Sequence, residues 1–359
     1  MRFLLSLIVV ISLFSCSTEK RMIIKHDFSA VTVMPFYNDT VSIRAIEISD
    51  DQLMFAGSNG IYGTFDIDEK FNINNKKIDI LGFEGKKNQF RAIAQTKTNF
   101  FVLSIESPAL LYQVNKESRE VKLVYKEHHD KVFYDAMVFW DDTEGIAMGD
   151  PTDGCLSVII TRDGGETWSK LSCDVLPNTA EGEAAFAASN GNIRIIGNDV
   201  WIVSGGIKSR VFYSSDRGNS WDVSTTPILQ GTETSGAYSL DFYDKSNGII
   251  FGGDYTKPEV NKKNKAITND GGKNWNLIAD GVGAGYKSCV RYVPNSGGKE
   301  IVAVGFTGIS ISSDSGNTWK DISKESFYTI RFINDSIAVA AGKNRMAKLI
   351  FKTKKVNDQ

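Results

Sequence analysis

Four nine-residue segments of this chain repeat one another: Ile160-Thr-Arg-Asp-Gly-Gly-Glu-Thr-Trp168, Tyr213-Ser-Ser-Asp-Arg-Gly-Asn-Ser-Trp221, Ile267-Thr-Asn-Asp-Gly-Gly-Lys-Asn-Trp275 and Ile311-Ser-Ser-Asp-Ser-Gly-Asn-Thr-Trp319. A repeat constrains a fold more than composition does, because every copy must fold alike and pack against its neighbour. In each copy the Asp side chain can accept backbone N–H groups within a turn, and Gly tolerates positive φ. The Trp then covers the turn with apolar surface. Each segment reads as a hairpin staple between two strands. Asp163, Trp168, Asp216, Trp221, Asp270, Trp275, Asp314 and Trp319 are therefore structural.

Two weaker copies lie upstream. Thr64–Phe71 keeps an Asp and places Phe where the Trp belongs, and around Asn115 only the turn survives. The six centres, Asp66, Asn115, Asp163, Asp216, Asp270 and Asp314, are 49, 48, 53, 54 and 44 residues apart, a period that suits one four-stranded propeller blade. Matching strands precede the turns. An innermost strand recurs at Arg44–Ile48, Arg91–Ala94, Asp135–Phe139, Tyr238–Phe242, Ser288–Tyr292 and Tyr328–Phe332. A following strand ends in Gly at Gly57, Gly149, Gly205, Gly252, Gly305 and Gly342. A divergent unit near Glu183–Gly206 brings the count to seven. The expected fold is all-β: a seven-bladed β-propeller of four-stranded antiparallel blades over residues 26–355. The last unit has three strands and no turn after Phe351. An early segment, Ile23–His26 or Val31–Phe36, is expected to supply its outer strand and close the ring, since an open ring would expose unpaired edges. No long 3.6-residue periodicity occurs, so little helix is expected.

The four segments resemble the Asp-box, or bacterial neuraminidase repeat. Together with inner strands such as Ile43-Arg-Ala-Ile46 and Phe90-Arg-Ala-Ile93, they make residues 40–355 similar to the photosystem II stability and assembly factor group and its bacterial relatives, some of them labelled oxidoreductase. The resemblance implies the propeller. It leaves function open, because the same architecture serves sialidases, endoglucanases, receptors and assembly factors.

The N-terminus reads as an export signal. Arg2 precedes an apolar run from Phe3 to Ser15 that is too short for the roughly 20 residues of a bilayer span. It ends in Leu13-Phe14-Ser15-Cys16, which resembles the bacterial lipobox. That resemblance implies cleavage before Cys16, lipid on Cys16, a tether over residues 16–25 and, with Ser17 next, an outer-membrane lipoprotein of the cell envelope.

Chain direction locates the candidate binding face. The Asp-boxes join third and fourth strands, so the starts of the inner strands lie at the opposite end of the ring. Arg44, Arg91, Asp135, Tyr238 and Tyr328 form one column there. Asp150 and Asp254 follow second-strand glycines onto the same rim, and Glu183 is expected to join them. Such groups would converge on the channel mouth; the bland alternative is a solvated channel of mutually neutralising charges. The insertion Asp254–Lys265, with Lys257, Lys262, Lys263 and Lys265, lengthens this face.

Catalysis finds little support in the sequence. The sialidase Phe/Tyr-Arg-Ile-Pro signature is absent, since Phe90-Arg91-Ala92-Ile93 lacks the Pro. A glycosidase needs two carboxylates across the sugar; Asp150 and Asp254 could in principle serve, but they fall in non-adjacent blades. No Gly-x-Gly-x-x-Gly occurs on a strand–turn–helix unit. His26, His128 and His129 offer no metal spacing, so neither cofactor nor metal is expected. With 41 basic against 43 acidic residues, the charge gives no reason to expect nucleic acid. Cys155 and Cys173 flank the third box almost symmetrically. A disulfide there would close a loop worth about 3 kcal/mol in the chain-entropy model, and Cys289 is expected as a buried thiol. The sequence therefore reads as a monomeric, lipid-anchored binding or assembly module for an envelope protein or glycan. An Asp-box polysaccharide hydrolase is the alternative.

Overall fold

The computed structural model describes residues 23–49 and 51–353. The expected export signal, Cys16 and most of the expected tether lie outside them. Nearly every described element is a strand, and the one helical element among them is a single 3-10 turn, Ser58–Gly60. The second strands are largely apolar and buried. Gly248–Asp254 is buried throughout, as is Gln52–Gly57 after its first residue. That pattern belongs to strands covered on both faces. Outer strands such as Val121–Glu127 are instead half exposed.

The strands form antiparallel sheets in chain order. Phe90–Gln95, Asn99–Ser104, Ala109–Asn115 and Val121–Glu127 make one four-stranded sheet; Tyr134–Phe139, Gly145–Pro151, Leu156–Thr161 and Ser169–Lys170 make the next. Apolar side chains glue each sheet to its neighbour. Phe101 of one stacks on Phe139 of the next with ring centroids 4.8 Å apart, and Trp168 meets both edge-on. The result is an all-β propeller of four-stranded antiparallel blades.

Pairing yields six sheets of four or six strands, plus a two-stranded ribbon, where seven separate sheets were expected. The reason is a pair of long strands. Phe28–Ile48 pairs with Ile337–Thr353 up to Ser42, then with Gln52–Gly57 from Ile43 onward, so two expected blades share one six-stranded sheet. Val31–Phe36 lies within the first pairing, opposite residues of 346–351. Glu300 ties down the approach to this strand, accepting from the backbone N of His26 at 3.1 Å and of Asp27 at 2.6 Å.

The divergent unit departs furthest from expectation. Glu183–Ala184 pairs with Gly205–Gly206 at the edge of the sheet built on Ser235–Phe242, and the unit's own inner strand starts only at Ile193. The residues between run along the central axis, bonding to inner strands all round the ring. Ala187 O accepts from Arg91, Ser189 O from Thr329, Asn190 O from Arg331, and Gly191 O from the Leu240 backbone. Asn190 adopts φ 53° and spans two further strands, accepting from Met137 N at 3.0 Å and donating to Ile93 O at 2.9 Å. The segment plugs the channel.

The four boxes share one geometry. Asp270 accepts from Thr268 Oγ1 (2.8 Å), Asn274 N (3.0 Å) and Asn274 Nδ2 (2.7 Å). Equivalent contacts surround Asp163, Asp216 and Asp314. Each Trp indole N–H donates to the carbonyl of the box glycine three residues before it. In the weak upstream copy Asp68, rather than Asp66, caps the turn, accepting from Lys70 N and Asn72 N. Cys155 and Cys173 are bonded, and Cys289 is a buried free thiol.

Candidate binding site at the channel mouth

The inner strands begin with a deliberate irregularity. Pairing slips by one residue at Arg44, Arg91, Asp135 and Tyr238, each skipped in the ladder between an inner strand and its neighbour. Such bulges re-aim a side chain. They explain the glycines across from them. A Cβ on Gly149 would sit 2.2 Å from Phe133 O, and one on Gly252 would sit 1.9 Å from Gly236 O. The recurring Gly makes room for the bulge, and the bulge turns its residue toward the axis.

A cup of about 510 Å³ results at the mouth away from the boxes. Arg44, Arg91, Asp150, Tyr238 and Tyr328 line it, so five of the eight expected residues meet in one cavity. The plug supplies its floor through Ala184–Ala188. Phe186 stacks on Tyr238 with centroids 4.0 Å apart, and Tyr286 meets Tyr238 edge-on at 4.8 Å. The Arg44 guanidinium lies 4.0 Å over the Tyr328 ring, a cation–π contact.

Three expected residues stand elsewhere. Asp135 is fully buried beneath the cup, and neither carboxylate oxygen has a partner. Burial, reinforced by the Asp150 charge, holds its pKa well above the carboxylate range. Asp254 caps its own loop, accepting from Thr256 N (2.9 Å) and Thr256 Oγ1 (2.7 Å). Glu183 is clamped by Arg210, whose Nε lies 3.0 and 3.1 Å from its two oxygens. It lines the adjoining groove rather than the cup. Lys265, expected on the exposed loop, is buried with its ammonium on Asn264 Oδ1 and Ala284 O. Because Asp150 lines the cup and Asp254 does not, the two candidate glycosidase carboxylates do not share this cavity.

Aromatic walls were the part missed. Phe133, Phe186, Tyr255, Tyr286 and Phe306 all line the cup. Phe306 directly follows second-strand Gly305, the rule that located Asp150, so a signal for it existed. Phe186 had none, because it belongs to the plug.

The cup carries both signs of charge, Arg44 and Arg91 with Asp150 and Glu233. Among the described residues neither arginine forms an ion pair. Arg91 donates to Ala187 O at 3.2 Å, while Arg44 Nε is buried without a partner. Burial, and then the neighbouring Arg44 charge, pulls Arg91 down to about 10, so it stays cationic at neutral pH. Burial pushes Asp150 up to about 6. Neither cation is paired with the two carboxylates of the lining, Asp150 and Glu233, so the guanidinium groups, walled by aromatic rings, can take an anionic group carried on an apolar or aromatic body.

No family profile matches the chain, and no curated protein resembles it in sequence. Solved structures do match in shape. A structure described as YCF48 bound to D1 peptide superposes with a TM-score of 0.62 at 12% identity, covering 91% of this chain and 98% of that one. The structure of U3-55K gives 0.62 at 10%, covering 90% and 99%, and the RRP9 WD40 repeats give 0.61 at 9%, covering 91% and 99%. At such identities the likeness is one of fold: a propeller.

Proposed function

We propose that this protein is a non-catalytic binding module whose cup captures an acidic or aromatic-acidic segment of a protein partner. The observation that carries the reading is the pair Arg44 and Arg91, unpaired by any described carboxylate and enclosed by Tyr238, Tyr328 and Phe186. The similarity to a propeller described with a bound peptide supports a protein rather than a glycan as partner. In this reading the ring has seven blades, because the six-stranded sheet built on the two long strands counts twice. Support comes from the change of partner at Ser42/Ile43 and from the Phe351 N bond to Ser336 O at 2.9 Å, which folds Ile337–Thr353 back on itself. The box geometry and the Asp-x-Gly-x-x-Trp motif likewise support kinship with Asp-box proteins.

The direct test is capture from envelope extracts with an Arg44→Ala/Arg91→Ala double variant as comparison. The variant should lose the partner while still unfolding cooperatively. Retention of every partner by a folded double variant would remove the cup from the mechanism.

The proposal also places the protein on a membrane through lipid at Cys16. Metabolic labelling with a palmitate analogue should mark the parent and spare Cys16→Ala. Equal labelling of both would refute the anchor.

A further inference from the structure

The channel has a second mouth, at the box end, for which the cup has no use. A cavity of about 240 Å³ opens there, lined by Glu47, Asn190, Arg194, Asp241, Arg291 and Arg331. Three guanidinium groups from three inner strands face two carboxylates.

The hydrogen bonds show which charges are spent. Arg331 is committed: Nε and Nη2 approach Glu47 Oε1 at 3.3 Å, Nη1 donates to Thr329 Oγ1 and Ile330 O, and Nη2 donates to Asn190 O. Asp241 is largely satisfied by backbone, accepting from Phe242 N at 3.0 Å and Tyr292 N at 2.8 Å, with Arg194 Nε 3.0 Å from Oδ1. Arg291 differs. Its Nη1 donates only to the neutral carbonyls of Leu240 and Val290, and among the described residues it has no ion pair. Arg291 Nε and Nη2, and both terminal nitrogens of exposed Arg194, are neither bonded to protein nor sealed inside it.

We propose that this mouth binds a compact oxyanion of the phosphate or sulfate class between the free N–H groups of Arg291 and Arg194. Planar guanidinium forks suit such oxygens, and charge-assisted bonds of this kind are about twice as strong as neutral ones. The half-buried walls weaken solvent screening, so the surplus cation acts more strongly than it would in open water. The small volume excludes an extended acidic chain and admits a single headgroup or free ion.

Purified protein in chloride buffer of constant ionic strength, titrated calorimetrically with inorganic phosphate and with inorganic sulfate, tests this. Saturable one-site uptake and a raised unfolding temperature are expected. Arg194→Gln, at an exposed side chain and with folding checked by cooperative thermal unfolding, should weaken uptake about tenfold. Glu47→Gln, which removes a competing carboxylate, should tighten it. In the Arg44→Ala/Arg91→Ala background the same uptake should persist, separating this mouth from the cup. Uptake insensitive to Arg194→Gln, or lost in the double variant, would overturn the assignment. So would the absence of saturable uptake at millimolar anion.

Discussion

Asp135 sits at one of the inner-strand bulges, yet it ends up beneath the cup rather than in it. Its carboxylate is wholly buried with no hydrogen-bond partner. Burial raises its folded-state pKa above the ordinary value near 3.8. Below that value the group is protonated whether folded or unfolded, and it contributes nothing to pH dependence. As pH rises the unfolded chain ionises freely while the folded chain resists, so stability falls. Asp135→Asn should therefore stabilise the protein by more than about 1 kcal/mol at pH 7, and the gain should vanish near pH 3.5. Urea unfolding at both pH values checks this; a gain of equal size at both would mean the effect is steric. Residue identities also set how far the sequence could be read. The residues of the four repeated turns were legible because each turn needs a short acceptor, a left-handed position and an apolar cover. Asp254 and Glu183 were misplaced because a polar residue at a rim satisfies a neighbour as readily as it faces a ligand, and spacing alone does not tell the two apart.

Among elements, the axial segment carries the most consequence and gave the least warning. Its residues Ala187, Ala188, Ser189, Asn190 and Gly191 are small or polar, with neither strand alternation nor a turn signature. Their places come from tertiary bonds to inner strands far away in sequence. The period is legible in the strand columns that obey it and disappears where the chain leaves it. Asn190 is the strut. Replacing it with Ala would leave Met137 N and Ile93 O without partners in a dry interior and put a Cβ-bearing residue without local polar support at φ 53°. We expect a loss of about 3 kcal/mol in stability, read from denaturant midpoints. A loss below about 1 kcal/mol would show that the segment merely rests in the channel. The cup should loosen with it, since Phe186 and Ala187 belong to the same stretch.

For the whole molecule, closure decides whether there is a fold at all. The strand from Phe28 joins the two ends of the chain through a ladder running from Phe28↔Thr353 to Ser42↔Lys343. Val31 and Val33 add apolar contact with the final sheet. Removing residues up to Phe36 would strip most of that ladder and expose the edge of Ile337–Thr353 over residues 347–353, a template for aggregation. The truncated chain should lose cooperative thermal unfolding, and a synthetic peptide spanning Asp27–Asn38 should restore it in trans. A truncated chain that melted like the parent would show that the ring does not depend on this clasp.

Because a single thread of backbone fills the axis from one opening to the other, the ring is not a conduit. A molecule arriving at either end meets a wall built from the chain itself. Selectivity at each end is then a matter of what can dock against that wall, and nothing needs to fit through.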